Sequence, residues 1–196
     1  MEAPLANPDR LWPNGVVEYK FYDTFPADKK QIMHNAMEYI TRKVSCITFR
    51  EATESTKDYV FIRDAAGVCR SDLGRIGGKQ EIEMNRFKAK TTKQHTKLYS
   101  KYFSGCFQIG LMTPVHELLH TLGFMHEHTR PDRDSFISVN SENIEAGKEG
   151  NFQKRTRGFS DSRDKKSVNT RNTPYDILSL LHYGPQDFFL KQNKLQ

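Results

Sequence analysis

No stretch of this 196-residue chain approaches 18 consecutive apolar residues, which excludes a membrane-spanning helix. Cysteine is scarce: Cys46, Cys69 and Cys106 are the whole set, and none sits in a C-x-x-C pair. That argues against a dithiol redox motif and a cysteine zinc site, and an odd count leaves at least one thiol without an intrachain partner. No internal repeat is present, so an array of stacked repeats is excluded. Gly74, Gly77 and Gly78 do not make a phosphate loop, because no Lys-Ser/Thr and no helix start follow them. Met1-Glu2-Ala3-Pro4 lacks the basic and apolar segments of a signal peptide, so a secreted protein would be represented here by a processed form. Tryptophan occurs once, yet 13 Phe and 8 Tyr spread along the chain supply bulk for a core and argue against disorder.

The length suits one domain or two small lobes. The 30 basic residues exceed the 24 acidic ones, for a net charge of +6. This allows a polyanionic glycan, a nucleic acid or an acidic protein as partner and does not choose among them. Much of the excess lies in Arg86, Lys88, Lys90, Lys93, Lys97 and Lys101. That stretch reads either as a solvated face or as a patch for a polyanionic glycan.

Trp12-Pro13-Asn14-Gly15 predicts a turn and Val16–Tyr22 a strand. Pro26-Ala27-Asp28 opens a helix, on which Ile32, Met33, Ala36, Met37 and Ile40 share a buried face. Cys46–Glu51, Tyr59–Arg63 and Lys79–Met84 predict short strands. Met112–Leu122 predicts a second helix ended by Gly123. Beyond it the pattern turns irregular, with a short helix expected over Asn140–Glu145 and a polar loop over Ser160–Thr173. The shift near Gly123 suggests two lobes.

Four of the seven histidines fall within His116–His128. His116 and His120 are four apart, so a helix puts them on one face a turn apart, where both imidazoles can reach one Zn²⁺ at about 2.0–2.1 Å. Glu117 can lean toward a metal-bound water. A left-handed Gly123 lets the chain reverse and bring His126 back as a third ligand, leaving one coordination position open, as a catalytic zinc requires. With this composition, H-E-x-x-H is expected by chance ~0.03 times per chain, and adding Gly123 and His126 lowers that to ~6 × 10⁻⁵. Cys106 paired with a nearby His is a second nucleophile arrangement that the sequence permits.

His116–Asp134 reads H-E-L-L-H-T-L-G-F-M-H-E-H-T-R-P-D-R-D. This resembles the astacin family of zinc metalloendopeptidases, within the metzincins, whose signature H-E-x-x-H-x-x-G-F-x-H-E-x-x-R-x-D-R-D it matches at every fixed position. Leu11–Val16, Cys46–Phe49, Cys69-Arg70-Ser71 with Gly74-Arg75, and Ser179-Leu180-Leu181-His182-Tyr183 also fit, and the surroundings of Val16 are similar to the tolloid branch. The resemblance runs from Leu11 to Phe189. It implies an α+β, metzincin-like two-lobed domain: an N-terminal twisted mixed sheet with two long helices, the zinc helix at the cleft, and an irregular C-terminal lobe. Residues 1–196 would then be one peptidase domain, split into 1–123 and an incomplete 124–196.

The resemblance also implies one Zn²⁺ per chain on His116, His120 and His126. Glu117 would be the general base and later the proton donor, and Tyr183 a weak extra ligand that swings to the oxyanion. Glu127 would receive a processed N-terminus, and Arg70 would line the pocket just past the scissile bond, favouring Asp or Glu there. Cys69 and Cys106 would pair, with the partner of Cys46 beyond this chain. The implied substrate is an extracellular protein or peptide rather than nucleic acid, and the implied location is secreted.

Three departures stand out. Leu181 replaces the Met that packs beneath the zinc ligands, a change of similar volume costing under about 1.5 kcal/mol. Arg86–Ser104 looks like an insertion, and the family domain continues for roughly forty residues past the equivalent of Gln196. The competing reading is therefore a truncated, weakly active or inactive zinc-binding module or decoy.

Overall fold

The structure, a computed structural model, describes residues 7–65, 68–84, 105–155 and 170–185. The basic stretch Arg86–Lys101 and most of the polar run 160–173 lie outside the described residues. The chain divides into two compact units, Asp9–Gly123 and residues 1–8 with Phe124–Gln196.

The first unit is built on a five-stranded sheet. The strands are β1 (Val16–Phe21), β2 (Thr48–Glu51), β3 (Tyr59–Asp64), β4 (Cys69–Ser71) and β5 (Lys79–Met84), in the order β2-β1-β3-β5-β4. All pairings are parallel except β4 with β5. The alternation of the sequence sets the buried face: Val17 and Tyr19 of β1 and Val60 and Ile62 of β3 point inward, joined by Gln80 and Ile82 of β5. The period of two along a strand puts such residues on one side of the pleat.

Helix α1 (Ala27–Lys43) follows Pro26, whose carbonyl accepts from the Lys29 and Lys30 amides at 3.1 and 2.9 Å. Asp28 in its first turn and Arg42 and Lys43 in its last complement the helix dipole. Met33, Ala36, Met37 and Ile40 are buried, so these methionines are core. Helix α2 (Met112–Thr121) is ten residues long and packs against α1.

Gly15 delivers the chain into β1. Its φ is +70°, and a Cβ there would lie 2.0 Å from the Cys46 carbonyl oxygen. No side chain fits that approach. At the other edge, Cys69 of β4 is bonded to Cys106 with a Cα–Cα distance of 5.7 Å across 37 residues. Closing a loop of that length stabilises by roughly 4 kcal/mol in the chain-entropy account. Cys46 is a free, exposed thiol.

The second unit has no strand or α-helix among its described residues and turns repeatedly in short 3₁₀ segments. The helix expected over Asn140–Glu145 is a single turn, Ser141–Asn143, with the Asn140 side chain accepting from the Glu142 amide at 3.2 Å. With so little regular backbone pairing, the unit is held by side chains. Glu127, His128, Thr129, Arg130 and Leu181 are each at most 2% exposed. Arg130 donates to Glu127 at 2.9 Å, to Asp132 at 3.0 and 2.8 Å, and to the Pro174 and Thr173 carbonyls at 3.2 and 3.0 Å. Arg133 donates to the His128 and Phe152 carbonyls at 2.9 and 2.5 Å. Glu127, Arg130 and Arg133 of the sequence motif therefore build the unit's interior, while Asp132 is half-buried and Asp134 exposed.

Candidate active site

Helix α2 buries Val115, Leu118 and Thr121, which leaves His116 and His120 together on a half-exposed face. Their Nε2 atoms are 3.1 Å apart and their rings meet edge to face at 4.7 Å.

The helix end is pinned from three sides of the first unit. Trp12 Nε1 donates to the Thr121 carbonyl at 2.8 Å, the Gly74 amide to the His120 carbonyl at 2.8 Å, and the Ser71 and Thr121 hydroxyls bond at 2.8 Å. Each such bond contributes about 1 kcal/mol net, but together they fix the rotation of the histidine face. Leu122 and Gly123 then close the helix, the Gly123 amide donating to the His120 carbonyl at 2.8 Å. Gly123 has φ +97°, the left-handed conformation that turns the chain sharply.

Three residues further on, the His126 carbonyl accepts from the Thr129 amide and hydroxyl at 3.0 and 2.7 Å. One ring nitrogen from each of His116, His120 and His126 lies within 4.8 Å of the others. Two nitrogens at about 2.05 Å from a tetrahedral ion stand roughly 3.3 Å apart, so the 3.1 Å pair already has nearly the spacing of neighbouring ligands. Three imidazoles are a donor set suited to zinc.

Glu117 is 4% exposed. Burial pushes its carboxyl from the ordinary 4.5 up to about 7, because the charged form loses hydration. A base poised near neutrality is what proton transfer at pH 7 calls for. It also has a stability cost in the metal-free protein. Well below pH 4.5 the carboxyl is neutral in both folded and unfolded chains and costs nothing. As pH rises toward 7 the unfolded chain ionises first, and folding loses up to about 3 kcal/mol. Glu117→Gln should remove that loss: metal-free melting temperatures of parent and variant should agree near pH 4 and diverge by pH 8, the variant being higher. Parallel curves across this range would show that Glu117 is not desolvated.

Tyr183 belongs to the second unit, where its ring lies 4.8 Å from that of His126 and stacks on His128 at 3.9 Å. Leu181, in the place of the expected Met, is fully buried, and its carbonyl accepts from the Glu127 amide at 3.0 Å. Glu127 Oε1 accepts from Arg130 and from the Asp176 amide, both at 2.9 Å. Its Oε2 is buried without a hydrogen-bond partner among the described residues; the first six residues, which bear on the expected link to the N-terminus, are outside them.

Arg70 lies on β4 opposite Glu83. Its side chain is 70% exposed and pairs with Glu83 at 2.5 Å. Glu83 is buried and also pairs with Arg63.

Sequence reasoning missed Trp12, Ser71 and Thr121 as supports of α2, and His128 as the ring under Tyr183. None carries a spacing signal, since their partners are remote in sequence. Arg130, Asp132 and Arg133 were visible only as fixed letters of a motif.

A sequence model of the peptidase family described as Astacin matches residues 5–195. Zinc metalloproteinase nas-14 of Caenorhabditis elegans is 34% identical over 181 residues, 91% of this chain and 30% of that protein. Bone morphogenetic protein 1 of Xenopus laevis is 33% identical over 186 residues, 95% of this chain and 22% of that protein. The chain thus spans less than a third of the length of these relatives. Among solved structures, high choriolytic enzyme 1, a hatching enzyme zinc-protease from Oryzias latipes, aligns with a TM-score of 0.71 and 31% identity, over 94% of this chain and 74% of that one. Myroilysin shares the fold at a TM-score of 0.52 and 19% identity, over 92% of this chain and 82% of that one.

Proposed function

Because this chain belongs to the astacin family of peptidases, we propose that it is a zinc-dependent endopeptidase acting on extracellular proteins or peptides. The observation that carries the reading is the cluster of three ring nitrogens on His116, His120 and His126, with the buried Glu117 next to His116 on the same helix. The three histidines would hold one Zn²⁺ per chain. Bound there, zinc supplies a Lewis acid that polarises the scissile carbonyl and acidifies water.

The rest of the chemistry falls to the chain's own side chains. The Glu117 carboxylate takes a proton from the attacking water as the water oxygen bonds to the carbonyl carbon. Glu117 then delivers that proton to the amide nitrogen, the C–N bond breaks, and the amine leaves. The Tyr183 hydroxyl donates a hydrogen bond to the oxygen that gains charge when the carbonyl becomes tetrahedral. The Cys69–Cys106 disulfide supports an oxidising, extracellular setting. No finding supports a glycan partner for Arg86–Lys101.

The test is metal content with activity on a quenched peptide. The parent should hold one zinc, lose activity to a chelator and regain it with added zinc. Single changes His116→Ala, His120→Ala and His126→Ala should each empty the site. Full zinc occupancy in His126→Ala would overturn the three-ligand reading.

Arg70 is proposed to favour an acidic residue immediately after the cut. The support is its exposed guanidinium, of which the Glu83 pair engages the Nη2 end; a carboxylate can still bond the remaining donors. Cleavage-site profiling should show Asp or Glu enriched at that position and the enrichment lost in Arg70→Ala. A profile unchanged by the substitution would remove Arg70 from specificity.

A further inference from the structure

His128 stands two residues past His126 in the motif, but it is not one of the three clustered histidines. It is 1% exposed, and its Nε2–H donates to the Asn151 carbonyl at 3.0 Å. Its ring lies against that of Tyr183, with centroids 3.9 Å apart and planes 29° from parallel. Phe152 meets both rings, Tyr183 at 5.6 Å and 80° and His128 at 5.6 Å and 54°. Farther along, the Tyr175 hydroxyl donates to His182 Nε2, and His182 Nδ1–H donates to the Tyr183 carbonyl, both at 2.6 Å. The Tyr183 backbone is thus held from one side and its ring from the other.

His128, Phe152 and Tyr183 also line a cavity of about 500 Å³. Among the described residues the Tyr183 ring borders this cavity on one side, so a neighbour with a fixed face helps to give it one resting orientation. A flat imidazole held by its hydrogen bond to the Asn151 carbonyl provides that face, and offset stacking between rings contributes orientation beyond its buried area.

We propose that His128 is a positioning residue: it holds the Tyr183 phenol where its hydroxyl can reach the developing oxyanion. This rests on the role given to Tyr183 above. It predicts an effect on the transition state with little effect on substrate binding, because the hydroxyl bonds an oxygen that gains its charge only as the reaction proceeds.

The experiment compares His128→Ala, His128→Gln and His128→Phe, each alone and with Tyr183→Phe, in kcat, KM and zinc content. His128→Gln keeps a donor for Asn151 without the ring and serves if the alanine variant does not fold. His128→Phe keeps the ring without the donor. Loss of the ring should lower kcat about 10-fold, leave KM within about twofold and leave zinc content unchanged, and His128→Phe should restore most of kcat. In the Tyr183→Phe background the same changes should cost nothing further, since groups that act through one hydroxyl are not additive.

An independent readout is the Tyr183 ring resonances of tyrosine-labelled metal-free protein, assigned by Tyr183→Phe. These should shift when the stacked ring is removed and stay near their parent positions in His128→Phe. An undiminished loss in the Tyr183→Phe background, a fall in zinc content, or unchanged resonances would overturn the proposal. Full activity in Tyr183→Phe alone would instead overturn the role of Tyr183.

Discussion

Replacing Glu117 by glutamine should leave zinc in place and lower kcat by about 10³-fold, within the range of 10²–10⁴ that a positioned acid–base group supplies. Glutamine keeps the shape and the burial of the side chain but cannot take the proton from water or return it to the leaving amine. Both transfers belong to the bond-making and bond-breaking steps, so KM should change little while kcat collapses. The control is built in: Glu117 is not one of the clustered nitrogens, and the variant should bind zinc as the parent does. It should also be the more stable protein at pH 8 without metal, since burial alone pushes the parent carboxyl to about 7. Loss of activity with a gain in stability is the expected signature of a group strained for function. A variant retaining a tenth or more of parental kcat with zinc bound would assign the proton transfers elsewhere.

Arg130→Ala should be the most destabilising single change in the second unit, by about 3–5 kcal/mol. Arg130 is 2% exposed and its partner Glu127 fully buried. Removing the guanidinium leaves a buried carboxylate without its cation and strips donors from the Pro174 and Thr173 carbonyls. Against a typical folding stability of about 5–15 kcal/mol, this should lower the melting temperature by about 10 °C. Arg130 carries no proposed chemistry, so residual activity at low temperature should be close to parental and vanish early on heating. The double variant Arg130→Met with Glu127→Gln should recover part of the loss, because it removes both charges. A single variant melting within about 2 °C of the parent would show that the buried pair is not what holds this unit.

The elements of the first unit were legible wherever a period or a run of strand-forming residues declared them. Met33, Ala36, Met37 and Ile40 mark α1 by helical spacing, and the β-branched and aromatic residues of Val16–Tyr22 after the Trp12–Gly15 turn mark β1. The three-residue strand β4 was not legible, because Cys69–Ser71 is too short to show a period and pairs through its neighbour β5. The helix read over Asn140–Glu145 is a single turn, Ser141–Asn143, with none of its residues buried, so it has no packed face to carry it into further turns.

The sequence by itself determined the donor types and their order. Two histidines one helical turn apart, an acid between them, and a glycine before a third histidine require little beyond local geometry to meet, since all lie within eleven residues. Only the tertiary structure decided how that segment is held and which of its charged letters are interior. Ser71 and Trp12 fix the end of α2 through Thr121, at separations of 50 and 109 residues. Arg130 reaches carbonyls 43 and 44 residues along the chain. Tyr183 acquires its ring partners from His128 and Phe152. A sequence pattern records contacts between neighbours on one helix face or strand. It carries no periodic trace of a hydrogen bond or a stacked ring closed across a long loop, and a buried arginine is written with the same letter as a solvated one.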